Sequence, residues 1–261
     1  MRFRLLTYNI HKCIGGLDRR YRPERIVEAI AHCQPDLVLL QEVDDGVPRS
    51  SHHRQVDFLG DALGMPHRAY QANVTLKQGC YGNAILSRFP LYDVRNLELT
   101  VPLKKCRRAL IAHCRLPVDG RDRTMVVFNF HLGLAGYERT IQLRRFVNSE
   151  VLKHSHHATP VVAAGDFNDV WGTLERRLLT PVGFQSAAKH IRTFPAFLPI
   201  RSLDRIFFRG DIELHHSFAS RTGAALQASD HLPMVADFLL TNGCASAMGE
   251  AVKQLGQAPR D

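Results

Sequence analysis

Two short motifs in this chain, Gly165-Asp166-Phe167-Asn168-Asp169 and Ser229-Asp230-His231-Leu232-Pro233, put carboxylates, amides and an imidazole where apolar, strand-like runs meet polar residues. Four further runs end or are interrupted in the same way. Phe3 to Tyr8 stops at Asn9, Leu37 to Leu40 at Gln41-Glu42, Met125 to Phe128 leads to Asn129-Phe130-His131, and Arg201 to Phe208 carries Asp204. Strands lying side by side would bring Asn9, Glu42, His131, Asp166, Asn168, Asp204, Asp230 and His231 to one edge. A buried metal-phosphate site needs that inventory: hard oxygen ligands for a divalent cation, plus imidazoles for proton transfer.

Asp166 follows the apolar run Pro160 to Ala164, and Gly165 permits a tight exit. Asp166 and Asn168 then emerge together, the carboxylate placed to orient or deprotonate a water and the amide to hold it in line. Neighbouring side chains of an extended chain point to opposite sides, so Asp230 can turn to a metal while His231 faces a substrate. Asp204 interrupts an apolar run, and a buried charge needs a partner. Arg205 is one choice; the imidazole of His231, whose tautomer and cationic form Asp204 would stabilise, is the other. Glu42 is the minimum anchor for Mg²⁺, which keeps several waters, and Asn9 offers a neutral amide oxygen at a similar strand end. His131 can bind a phosphoryl oxygen or protonate a leaving group. Singly, each residue is also what a turn or a surface gives; their joint occurrence at successive strand ends is not. The doublets His52-His53, His156-His157 and His215-His216 lack the i, i+4 pairing of a helical zinc site.

The elements that must position these side chains are short and mixed α/β. The spacing of Ile26, Val27 and Ile30 behind Pro23 predicts a helix over Pro23 to His32, between the first two strands. Leu143, Phe146, Val147 and Val151 predict one helix from Tyr137 to Lys153, and Gln55 to Leu63 a third. Further strands are expected at Asn83 to Ser87, Leu110 to Leu116 and Met234 to Leu240. We expect one catalytic domain over residues 1–241 and a C-terminal tail over 242–261, rich in Ala, Gly, Gln and Ser.

No apolar run approaches the roughly 18 residues needed to span a bilayer, and the N-terminus turns polar too soon for a secretory signal, so a cytoplasmic location is expected. Six cysteines without Cys-x-x-Cys spacing suggest neither a zinc site nor a disulfide framework. A formal charge of +9 suits a polyanionic partner, and Arg19-Arg20, Lys104-Lys105 with Arg107-Arg108, and Arg176-Arg177 can steer phosphate groups or simply be solvated.

Together, Thr7-Tyr8-Asn9-Ile10, Leu40-Gln41-Glu42-Val43, Gly82-Asn83-Ala84-Ile85-Leu86-Ser87-Arg88, Asn129-Phe130-His131-Leu132, Gly165-Asp166-Phe167-Asn168, Leu203-Asp204-Arg205-Ile206-Phe207 and Ser229-Asp230-His231-Leu232-Pro233 resemble the endonuclease/exonuclease/phosphatase superfamily, from about residue 3 to 240. The resemblance implies a four-layer α/β sandwich, two facing mixed β-sheets with helices on the outer faces, and metal-dependent hydrolysis of phosphate esters. It implies Glu42 as principal metal ligand with Asn9 and Asp230 close to the metal or its waters, the metal being Mg²⁺ or Mn²⁺. Asp166 would position or activate the water, Asn168 help hold it, His231, oriented by Asp204, contact the phosphate or act as base, and His131 stabilise phosphoryl oxygens or serve as acid.

One departure bears on substrate. Abasic-site endonucleases usually carry an acidic residue two positions after the first Asn, where this chain has His11. Thr193-Phe194-Pro195 ahead of Leu203-Asp204-Arg205 looks more like a compact bacterial branch near the sphingomyelinase side. The expected substrate is a phosphodiester, nucleic acid or phospholipid-like, taken by a monomer without stable membrane insertion. A lipid-acting enzyme should expose an apolar loop near the site, for which Phe194 to Ile200 is a candidate. The rival from another class is a non-catalytic module that binds polyanions or a partner on the same fold.

Overall fold

Alternation along the strands sorts the apolar residues onto two faces. The computed structural model describes residues 1–118, 120–187 and 191–240; the tail expected at 242–261 lies outside them. The chain forms β1 (Arg2–Asn9), α1 (Pro23–Cys33), β2 (Leu37–Asp45), α2 (Gln55–Ala62), β3 (His67–Thr75) and β4 (Cys80–Ser87). It continues with β5 (Leu91–Glu98), β6 (Arg108–Val118), β7 (Arg121–His131), α3 (Gly136–Val147), α4 (Glu150–His154), β8 (Val161–Asp166), β9 (Gln185–Ser186) and β10 (Asp204–Arg209). Then come β11 (Ile212–Ala219), α5 (Gly223–Ala228) and β12 (Met234–Leu240). Two mixed sheets of six strands each result, ordered β11-β12-β1-β2-β4-β3 and β5-β6-β7-β8-β10-β9.

In β1, Phe3 and Leu5 join the core between the sheets while Leu6 and Tyr8 pack outward against α1, α2 and α5. In β7, Met125 and Val127 face inward, and Phe128 and Phe130 outward onto Phe146 of α3. Phe238 stacks on Phe3 at 5.6 Å and meets Phe208 of the other sheet edge-on at 5.2 Å, joining the layers. The expected four-layer sandwich of two facing sheets with outer helices is the observed architecture. Each sheet contains one parallel pair, β1 with β2 and β7 with β8. Parallel neighbours require a crossover, supplied by α1 in the first sheet and by α3 and α4 in the second. The carboxyl ends of β1, β7 and β8 carry Asn9, His131 and Asp166, and Glu42 lies three residues before the end of β2.

Three expectations need correction. The helix expected over Tyr137 to Lys153 is two helices, because Ser149 caps a new one by accepting the Leu152 N–H at 3.4 Å. Glu42 does not end its strand, since β2 continues to Asp45. Asp204 is the first residue of β10 rather than an interior one.

Gly165 fixes how closely β8 approaches β7. Its φ is +141°, and a Cβ there would lie 2.0 Å from the Phe130 carbonyl oxygen. Gly165→Ala is therefore expected to cost roughly 2 kcal/mol or more of stability, read by urea denaturation, because one strand must move.

Candidate active site

The extra residue in β2 is what turns Glu42 toward the site. Opposite β4, the register slips between Leu40 and Val43, which pair with Ala84 and Gly82, and Glu42 adopts a φ of +57°. Leu40 and Val43 both pack outward, so Gln41 and Glu42 form a bulge between them. Asn129, on the inner face of β7, secures that bulge from the opposite sheet. Its Nδ2 donates to the carbonyls of Leu40 and Ala84, both at 2.9 Å, and its Oδ1 accepts from Gln41 Nε2 at 2.7 Å. All these groups are buried, so Asn129→Leu strands carbonyls without donors and should lose roughly 2 to 4 kcal/mol in a denaturant titration.

The second sheet assembles the rest by register. Asp166 pairs with His131 across β7 and with Asp204 across β10, so the three side chains lie on one face. Asp166 Oδ2 accepts from Asn9 Nδ2 at 3.1 Å, which links the two sheets. The same oxygen lies 3.7 Å from His131 Nε2 and 3.9 Å from His231 Nε2. Asp166 Oδ1 accepts the Asn168 N–H at 3.0 Å, and Asn168, in the left-handed region at φ +50°, donates its amide to the Leu132 carbonyl at 3.0 Å. His231 Nδ1 meets Asp204 Oδ2 at 2.8 Å, so the imidazole, not Arg205, is the direct partner of Asp204. Thr193 donates to the same carboxylate oxygen.

The loop that carries Thr193 braces the second motif. Leu232 N–H donates to the Thr193 carbonyl at 2.8 Å, Ala196 N–H to the Asp230 carbonyl at 2.7 Å, and the Phe194 ring lies 4.9 Å from that of His231. The eight expected residues are not equally joined. Asn9, His131, Asp166, Asn168, Asp204 and His231 form one continuous set of contacts. Asp230, with about a third of its side chain exposed, sits at the rim 3.9 Å from His11 Nδ1. Glu42 instead forms an ion pair with Lys12.

Burial and neighbouring charges drive these groups apart electrostatically. Burial, reinforced by Asp204, pushes the Asp166 carboxyl above the usual carboxylate range although His231 opposes it. Burial works against the His231 cation, but the contact with Asp204 outweighs it and raises the imidazole well above an ordinary histidine. Burial and the Arg107 guanidinium hold His131 neutral. Burial also opposes ionisation of Glu42, and the charges of His131, when protonated, and of Lys12 overcome it and bring the carboxyl down to about 2. With His131 neutral, Lys12 is the lasting contribution.

Lys12, Thr193 and Arg107 escaped the reading of the sequence as site residues. Arg107 belongs to a cluster read as phosphate-steering or simply solvated, yet it is only 7% exposed and near enough to depress the protonation of His131. Its position just before the apolar run Ala109 to Ala112 was the available signal. A metal is compatible with the donors on this edge. Glu42 stays ionised and an ammonium group already rests on it, while Asn9, paired in register with Gln41, keeps an oxygen lone pair beyond the His11 N–H. Among the described residues no three His, Cys, Asp or Glu side chains are grouped to enclose an ion. So few carboxylates, Glu42 with Asp230 at the rim, beside a neutral amide oxygen suit an ion that keeps most of its waters, as Mg²⁺ does.

Comparison with known proteins gives a consistent result. The family model described as Endonuclease/Exonuclease/phosphatase family matches residues 6–231, from β1 to His231. YbhP of Escherichia coli strain K12, an uncharacterized protein, is 30% identical over 257 residues, spanning 91% of this chain and 96% of its own. An endonuclease/exonuclease/phosphatase structure from Beutenbergia cavernae DSM 12333 superposes with a TM-score of 0.72 at 22% identity, over 92% of this chain and 72% of that one. The human Nocturnin catalytic domain with bound sulfate does so with a TM-score of 0.71 at 21% identity, over 92% and 94% respectively. At these identities the two structures establish a shared fold.

Proposed function

The chain belongs to the endonuclease/exonuclease/phosphatase family, and from that premise we propose that it is a Mg²⁺- or Mn²⁺-dependent phosphodiesterase that acts by in-line attack of water on phosphorus. The observation that carries this reading is the Asp166 carboxylate held between the Nε2 atoms of His131 and His231, at 3.7 and 3.9 Å, on the edge that also bears Glu42.

Asp166 is assigned as base. Its raised protonation equilibrium matches it to taking a proton from water near neutrality, and Asn9 and Asn168 fix its two oxygens. His231, kept cationic by Asp204, balances charge on the phosphoryl oxygens and can give its Nε2 proton. His131 serves as a neutral hydrogen-bonding group on those oxygens, beside the positive charge of Arg107. Glu42, Asn9 and Asp230 would hold the metal, which would supply Lewis-acid stabilisation of the phosphoryl group when bound. The water oxygen bonds to phosphorus, the bond to the leaving alcohol breaks, and the products are a phosphomonoester and an alcohol. We place the enzyme in the cytoplasm as a monomer.

The test is hydrolysis of bis(p-nitrophenyl) phosphate after metal stripping and add-back of Mg²⁺ or Mn²⁺. Metal-restored turnover is expected, and Glu42→Gln should need at least about tenfold more metal for half-maximal rate, since its principal carboxylate anchor is gone. No turnover with either metal, together with salt-sensitive binding of polyanions, would replace the enzyme by a binding module.

A further inference from the structure

Two loops that leave the catalytic edge end in exposed apolar side chains. The first follows Asp166 and presents Val170 and Trp171, the latter 84% exposed. The second runs from Phe194, against the His231 ring, back to Arg201, which donates its N–H to the Phe194 carbonyl at 2.8 Å. At its tip Phe197, Leu198 and Ile200 are 58%, 60% and 55% exposed. Both loops line one open cavity of about 760 Å³, to which the first contributes Val170 and Trp171 and the second Ile200. The cavity lining also contains four arginines, of which Arg176, Arg192 and Arg201 are exposed, against the single acid Glu175.

We propose that this face docks on an anionic phospholipid surface and that the phosphodiester is presented to the site from there. The second half rests on the phosphodiesterase reading; the docking does not. Apolar side chains this exposed are costly in water, and a tryptophan that shares a cavity lining with Val170, Ile200 and arginines matches the region between headgroups and acyl chains. The arginines complement anionic headgroups, as does the formal charge of +9 on the chain. Base stacking in a nucleic-acid groove calls for successive aromatic platforms; Trp171 and Phe197 are aromatic, but Val170, Leu198 and Ile200 on the same two loops can only insert or pack. No described helix is long and apolar enough to cross a membrane, so the contact would be peripheral.

Trp171 is the chain's one tryptophan, so intrinsic fluorescence reports from this face alone. The intact protein in EDTA would be titrated with vesicles of phosphatidylcholine, with vesicles half phosphatidylglycerol, and with single-stranded oligo(dT). A blue shift with the anionic vesicles, reversed by salt and quenched by brominated acyl chains, is expected. Phe197→Ser with Leu198→Ser should weaken that binding at least about tenfold while hydrolysis of soluble bis(p-nitrophenyl) phosphate stays unchanged. No response to either vesicle, equal binding to both, or quenching by oligo(dT) alone would overturn the proposal. Because the titration involves no turnover, loss of the hydrolysis reading would leave the docking result standing, and the reverse.

Discussion

Asp166→Asn should lower kcat/KM for a phosphodiester by about 10³-fold, within the range a positioned general base contributes. The substitution is nearly isosteric at a fully enclosed position, so lost packing does not account for such a fall. The wild-type carboxylate accepts two hydrogen bonds, from Asn9 Nδ2 at 3.1 Å and from the Asn168 N–H at 3.0 Å. An amide satisfies one and sets its own NH₂ against the other donor. Asn9 cannot simply turn over, because its Oδ1 already accepts the His11 N–H at 3.1 Å. The mismatch should cost roughly 1 to 3 kcal/mol of stability, offset in part because burial already disfavours the native carboxylate. A folded variant by circular dichroism with the rate loss intact is the expected pair of measurements. Activity within a few-fold of the native enzyme would remove Asp166 from the base role and return it to His231.

The sequence made the centre of each sheet legible and left its margins obscure, for one physical reason. β1, β2, β7 and β8 are buried on both faces, so they read as apolar runs whose polar stops stand out. The four strands that escaped recognition, β3, β5, β9 and β11, are the four edges of the two sheets. In β5 the run from Asp93 to Asn96 is exposed, so no alternation marks it as a strand. Glu42 was legible as a carboxylate near a strand end, but the bulge that orients it was not. That bulge depends on Asn129 reaching across from a strand some ninety residues away, and no local pattern encodes such a contact. Thr193 was hidden for the same reason, since its link to Asp204 is a tertiary hydrogen bond from a loop. That Asp204 has a partner was legible, because a carboxylate set in an apolar run demands one; that the partner is His231 and not Arg205 is a tertiary contact.

Asp204→Asn provides the sharpest test of the electrostatics of that pair, through a change in pH dependence. In the native protein burial disfavours the His231 cation, and the Asp204 carboxylate at 2.8 Å more than restores it. The imidazolium therefore persists from acid pH to well above the ordinary histidine value of about 6.5. With Asn at 204, burial opposes the cation and only the charges of Asp166 and Asp230 still favour it, so His231 loses its proton at lower pH than in the native protein. If the cation balances charge on the phosphoryl oxygens, the alkaline limb of kcat/KM should move to lower pH, and the rate on the alkaline side should fall by up to about 10²-fold. His231→Ala should fall as far at every pH and show no such limb. Stability supplies a second readout with a definite sign. A group whose protonation equilibrium is raised on folding contributes stability that is full below its unfolded value and is lost as pH rises through its folded value. Thermal melts of the native protein should thus decline over the alkaline range through this pair, and those of Asp204→Asn should lack that component. An alkaline limb that stays in place in Asp204→Asn would show that proton loss from His231 does not limit the reaction, and the imidazole would then be free to serve as the base.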